Sequence, residues 1–121
     1  MSNTSQVKDR LRDLIDAVCL SDEFRRFEAA KERIDGCADE KRVVDDFRRK
    51  AYQLSNYTQT EDMPDEIRLL AKERAQIRKD PVVAEYLTSE MELCRMLQGI
   101  CAEVLSVIDL QLDDFIDFIE A

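Results

Sequence analysis

DPVVAEYLTSEMELCRMLQGICAEVLSVIDL, residues 80–110, reads as one long helix. Asp80 supplies a side-chain cap, and Pro81 sits at the first helical position, where its missing N–H costs nothing. Val83, Leu87, Glu90, Cys94, Leu97, Cys101, Val104 and Ile108 then follow at alternating steps of four and three, while Tyr86, Leu93, Ile100 and Val107 form a neighbouring stripe at sevens. A helix with both stripes is apolar over a broad seam. Helical from Pro81 to Leu110, it measures about 45 Å, longer than a compact domain of this size is wide. Part of it is therefore expected to project or to meet a partner.

Upstream, the same spacing repeats in shorter pieces. Val7, Leu11, Leu14, Ile15 and Val18 predict an amphipathic helix ending near Leu20. Ser21 reads as the N-cap of a second helix, with Asp22 and Glu23 in its first turn and Phe24, Phe27, Ala30 and Ile34 on its inner face. Asp35-Gly36 closes it, with the glycine expected in the left-handed conformation. Asp39 is placed as the cap of a third helix, with Val43, Val44, Phe47, Ala51 and Leu54 inward and an end near Asn56. Ser55 to Asp62 reads as a loop. Pro64, Asp65 and Glu66 then start a fourth helix that points Ile67, Leu70, Ala71 and Ile77 at the core. The tail Gln111 to Ala121 mixes Leu112, Phe115, Ile116, Phe118 and Ile119 with acids, which the helix dipole disfavours at a C-terminus, so the tail is expected to fray in the isolated chain.

The fold class that follows is all-α: about five helices in an antiparallel bundle with a long C-terminal helix, forming a single domain over residues 1–121. Composition agrees, since two glycines and two prolines in 121 residues leave little material for hairpin turns. The formal net charge of -9 opposes generic binding to DNA, RNA or anionic membranes. Residues 1–60 balance 12 basic against 12 acidic side chains, whereas residues 61–121 carry 6 against 15. After Arg95 only acids occur. No stretch approaches the roughly 18 apolar residues of a membrane span, and the polar start MSNTSQVKDR lacks a signal-peptide core, so a cytoplasmic location is expected.

Catalytic chemistry has little to build on. Histidine is absent, which removes the commonest general base and the usual carboxylate–histidine metal sites. Gly36 and Gly99 stand alone, so no phosphate loop is present. Cys19, Cys37, Cys94 and Cys101 form no CxxC pair, and Cys94 and Cys101 lie about 10 Å apart along their helix. They are read as reduced thiols, with packing in the core as the first reading and a metal site built from distant positions as the second. Asp113, Asp114 and Asp117 lack calcium-loop geometry and read as a solvated face. Lys41, Arg42, Arg48, Arg49 and Lys50 form a basic patch that Asp45 and Asp46 interrupt, so RNA contact there is the second reading and a solvated face the first.

From Leu14 to Leu105 the chain resembles the YlbF/YmcA family of small bacterial helical regulators. The residues that carry the resemblance are the N-terminal amphipathic helix, Ser21-Asp22-Glu23-Phe24-Arg25-Arg26-Phe27, the helix around Phe47, and Asp80-Pro81-Val82-Val83-Ala84-Glu85-Tyr86-Leu87 opening a long helix with Leu93, Leu97 and Ile100. The resemblance implies a non-enzymatic regulator that forms homo- or hetero-oligomers with related proteins, linked in some members to competence, biofilm and sporulation control and to messenger RNA processing by ribonuclease Y. Some members carry a C-terminal cysteine cluster that helps to hold an iron–sulfur centre. Residues 110–121, LQLDDFIDFIEA, have none, so no cofactor is expected.

The function expected from residues and resemblance together is that of a regulatory adaptor acting through helix-mediated assembly. Its partner is another protein: itself, a paralogue or the ribonuclease Y machinery. The partner-binding residues are placed on the last helix and tail: Leu97, Val104, Ile108, Leu112, Phe115 and Ile119. The alternative is a small RNA-binding accessory domain using the basic third helix.

Overall fold

The computed structural model describes residues 3–56 and 63–108. Among these the chain forms five helices and no strand: α1 (Asn3–Cys19), α2 (Asp22–Asp35), α3 (Ala38–Asn56), α4 (Met63–Ile77) and α5 (Pro81–Ile108). The all-α expectation holds, and α2 and α5 start where their capping residues place them. The Phe24 amide donates to Ser21 Oγ at 3.2 Å, and the Val82 amide donates to Asp80 Oδ1 at 2.9 Å. Each aspartate or serine cap thus satisfies an amide that the first helical turn leaves without a partner.

Two terminal details differ from the sequence reading. Gly36 has φ -82° and ψ -3°, a right-handed conformation, and its amide donates to the carbonyls of Glu32 and Arg33. The chain continues the right-handed winding because α3 begins two residues later, leaving no room for a left-handed reversal. For the same reason Cys37, and not Asp39, flanks α3: its carbonyl accepts from the Lys41 amide, while Asp39 lies in the first turn.

The four helices α2 to α5 carry the packing. α2 and α5 run in opposite directions along the largest contact, with Ile34 near the end of α2 beside Val83 at the start of α5, and Arg26 further back reaching Glu85 and Glu92. α3 adds Val44 to Ile34 and Val83, and Ile77, Val82, Tyr86 and Leu87 pack around this cluster. α4 lies against α3, where Lys50 Nζ pairs with Glu73 at 2.9 Å. α1 has its main contact with α2 and contributes no buried residue.

The core is small. Ala30, Ile34, Val44, Val83 and Ser89 are buried among the described residues. Phe24, Phe27 and Phe47, expected in the core, are half-buried at its edge. Val43 turns out to be exposed, because Val44 takes the inward position and its neighbour is rotated about 100° away on the helix. On α4, Leu70 and Ile77 are half-buried while Ile67 and Ala71 face outward, since α3 covers only one side of that helix. The cysteines correct the sequence reading as well: Cys19, Cys94 and Cys101 are exposed thiols and Cys37 is half-buried.

Candidate functional site

α5 has two halves with different surroundings. In the first, Val83 and Ser89 are buried, and Ser89 Oγ donates back to the Tyr86 carbonyl at 3.0 Å. Phe27 stacks on the Tyr86 ring with centroids 5.8 Å apart, and the Arg48 guanidinium lies over the same ring at 5.2 Å. Arg48 Nη2 donates to both carboxylate oxygens of Glu90, at 2.5 and 2.6 Å, and Nη1 donates to the Tyr86 hydroxyl at 3.4 Å. Burial works against the charge of Arg48, but the hydrogen bond and charge of Glu90 outweigh it and raise its pKa. Arg26 Nε and Nη2 donate to the two oxygens of Glu85 at 2.7 and 3.1 Å, and Nη1 donates to Glu92 at 2.7 Å. These contacts hold the Glu85 carboxyl below the usual carboxylate range, chiefly through the hydrogen bond from Arg26, against a smaller opposing effect of burial. Arg78 adds a further tie, donating to Thr88 Oγ1 at 2.6 Å.

Among the described residues nothing gives the second half of α5 such cover. Leu97 is 42% exposed, Val104 51% and Ile108 57%, and Val107 between them is more open still. Three of the six residues placed as partner-binding from the sequence therefore line one exposed apolar face. The other three, Leu112, Phe115 and Ile119, lie outside the described residues, as do the tail and most of the 55–62 loop. A second exposed apolar face went unanticipated: Val7, Leu11, Leu14 and Ile15 on α1 are all open, although their spacing suggested a core-facing stripe. Periodicity reports that a helix has an apolar face and is silent about what covers it.

The remaining surface offers less. A shallow groove of about 270 Å³ between α3 and α4 is lined by Leu54, Leu69 and Leu70 under the Lys50–Glu73 pair. The basic patch of α3 is largely neutralised: Lys41 pairs with Asp35, Arg48 with Glu90, Arg49 with Asp46 and Lys50 with Glu73. Among the described residues, no group of three or more Cys, Asp or Glu side chains is placed to hold a metal ion, and no helix is long and apolar enough to cross a membrane.

The family model described as Control of competence regulator ComK, YlbF/YmcA, matches residues 7–108, a span that starts on the α1 stripe and ends at the last described residue of α5. The chain belongs to the YlbF/YmcA family. Among curated proteins it is similar to a UPF0342 protein of Caldicellulosiruptor saccharolyticus, 32% identical over 117 residues that cover 95% of this chain and 97% of that one. A UPF0342 protein of Caldicellulosiruptor bescii is 31% identical over 96 residues, covering 78% of this chain and 81% of its own length. No solved structure matches. The family description is regulatory, in keeping with a chain whose exposed feature is an apolar helix face.

Proposed function

We propose that this YlbF/YmcA-family chain is a non-enzymatic regulatory adaptor that works by presenting the outer half of α5 to another protein. The observation that carries the reading is the exposure of Leu97, Val104 and Ile108 on a helix whose first half is anchored by Ile34, Val44 and Tyr86. A helix held rigidly at one end and left apolar at the other suits helix-on-helix recognition, in which residues at steps of three and four enter a partner's groove. The sequence continues the face into Leu112, Phe115 and Ile119. The partner is a second copy, a paralogue or a component of the ribonuclease Y machinery, acting in the cytoplasm. Direct RNA binding is the weaker reading, because carboxylates on α2, α3, α4 and α5 already engage the cations of α3.

Affinity purification from the native cell, read by mass spectrometry, tests the proposal. The wild-type chain is expected to bring down a paralogue or a ribonuclease component reproducibly, and a variant with Leu97, Val104 and Ile108 all changed to serine is expected to lose it. Retention of the same partner by that variant would sink the assignment of the face.

A further inference from the structure

The seam between α3 and α4 is not closed. Toward the end of α3, Leu54, Leu69 and Leu70 line the hollow of about 270 Å³ already described, and toward its start a second hollow of about 280 Å³ has Val43, Ile77 and Val83 in its wall. On α3 the two hollows extend from Asp39 to Leu54, about 22 Å at the standard helical rise. Leu69 is 65% exposed and Val43 40%, so this apolar row is open to solvent.

Charge is sorted around the row. Residues 38–80 carry ten basic and ten acidic side chains, yet five of the acids and only one of the bases line the hollows. The acids are Asp39, Glu40, Glu66, Glu73 and Asp80, and the base is Lys50, which Glu73 engages at 2.9 Å. The other cations of these helices are spent or stand apart. Lys41, Arg48, Arg49 and Arg68 pair with Asp35, Glu90, Asp46 and Asp65, and Arg78 turns to Thr88. Arg42, Lys72, Arg74 and Lys79 line neither hollow. Asp39, Glu40, Glu66 and Asp80 also stand at the starts of α3, α4 and α5, where each helix dipole adds roughly half a positive charge. Three half charges against four unbalanced carboxylates leave a deficit of about 2.5 charges, so the lining stays negative.

An apolar floor with a negative rim selects its occupant. Nucleic acid and the all-acidic sequence after Arg95 are repelled by it. A second copy is poorly matched too, because its exposed amphipathic α1 offsets Lys8, Arg10 and Arg12 with Asp9, Asp13 and Asp16. We propose that the α3–α4 seam is a docking groove for a basic amphipathic segment of a different protein, about four helical turns long. Its apolar side chains lie over Val43, Leu54 and Leu69, and its lysine or arginine heads meet Asp39, Glu40, Glu66 and Asp80. Apolar anchors at steps of three and four supply affinity in such helix-in-groove recognition, and the complementary charges supply selectivity. The groove is distinct from outer α5 and does not depend on the adaptor reading of that helix.

Amide NMR of the isotope-labelled full chain tests the proposal with a defined probe: a helical peptide of about 15 residues, long enough to span the groove, with leucines at steps of three and four and lysines beside them. The expected result is a set of shifts centred on Val43, Lys50, Leu54, Leu69 and Ile77, with affinity at least tenfold weaker in Leu69→Lys and in Glu66→Lys. Both positions are exposed, and circular dichroism checks that helicity is unchanged. A variant with Leu97, Val104 and Ile108 changed to serine is expected to bind the peptide as the wild type does. Equal affinity for the same peptide with glutamate in place of lysine overturns the charge argument and with it the proposal. Shifts confined to residues 97–108 overturn the groove while leaving the adaptor reading standing, and no binding at millimolar peptide overturns it outright. Groove shifts produced by a peptide of residues 110–121, or by raising the concentration of the chain alone, assign the place to the tail or to a second copy and overturn the heterologous occupant.

Discussion

Ile34 and Val44, at the meeting of α2, α3 and α5, are almost fully buried, and among the described residues they share the buried apolar core with only Ala30 and Val83. Ile34→Ala should cost about 2–5 kcal/mol, because the cavity it leaves is walled by three helices that cannot all close in. Phe47→Ala should cost less than the roughly 3–5 kcal/mol of a fully buried phenylalanine, since its side chain is only partly buried. Urea denaturation of the two variants checks the order, and a larger loss for Phe47→Ala would mean that the core centre is misplaced. The ion pairs at the α2–α5 and α3–α5 contacts act on a smaller scale. Arg48 and Glu90 are both partly exposed, so solvent screens them, and Arg48→Ala should cost about 1 kcal/mol from the pair and the ring contact with Tyr86 together. Glu85, held below its ordinary pKa by Arg26, binds fewer protons folded than unfolded at mildly acidic pH. Its contribution is complete above the unfolded carboxylate value of about 4.3 and disappears as pH falls through the lower folded value. Glu85→Gln should therefore flatten part of the acid limb of a plot of Tm against pH, and an identical limb would remove Glu85 from the account.

At the scale of elements, the division between what could and could not be read from sequence follows the range of the forces involved. Ser21, Asp80 and Pro81 act within one helical turn, so the starts of α2 and α5 were legible from a few residues. Gly36 was misread because its conformation depends on how soon α3 begins, a fact outside the glycine's own turn. Val43 and Val44 are adjacent and chemically alike, and only the direction from which α2 and α5 approach decides which is buried. The exposure of Leu97, Val104 and Ile108 was legible because the predicted length of α5 exceeded what short helices can cover. Val7, Leu11 and Leu14 gave no such sign, since a 17-residue helix fits within a bundle. Their exposure has a dynamic consequence. α1 contributes no buried residue and outer α5 is open, so in dilute protein both should exchange amide hydrogens much faster than the segments of α2 and α5 around Ile34 and Val83. Hydrogen exchange followed by mass spectrometry reads this directly, and α1 protection equal to that of α2 at all concentrations would show that α1 is held within its own chain.

For the whole molecule, a core of four apolar residues among those described is a slender source of stability against the conformational entropy of ordering five helices. The apolar surface left exposed on α1 and outer α5 is a reserve of burial, worth about 25 cal/mol for each Å² removed from water. Folding and assembly are then linked: a copy that pairs gains what its own core does not supply, and mass action carries that gain into the melting temperature. For a two-chain assembly, each hundredfold increase in protein concentration adds about 1.4 kcal/mol per protomer, half of the roughly 2.7 kcal/mol that the same factor contributes per association event. In a chain of this length such a change moves Tm by several degrees. Calorimetry from low micromolar to several hundred micromolar protein should show that rise in the wild type and a flat Tm in Val104→Glu, whose single carboxylate lies on the exposed face and leaves Ile34, Val44 and Val83 untouched. A wild-type Tm that stays constant across the range would mean that the small core suffices alone, and that the apolar face of α5 is kept for a different protein.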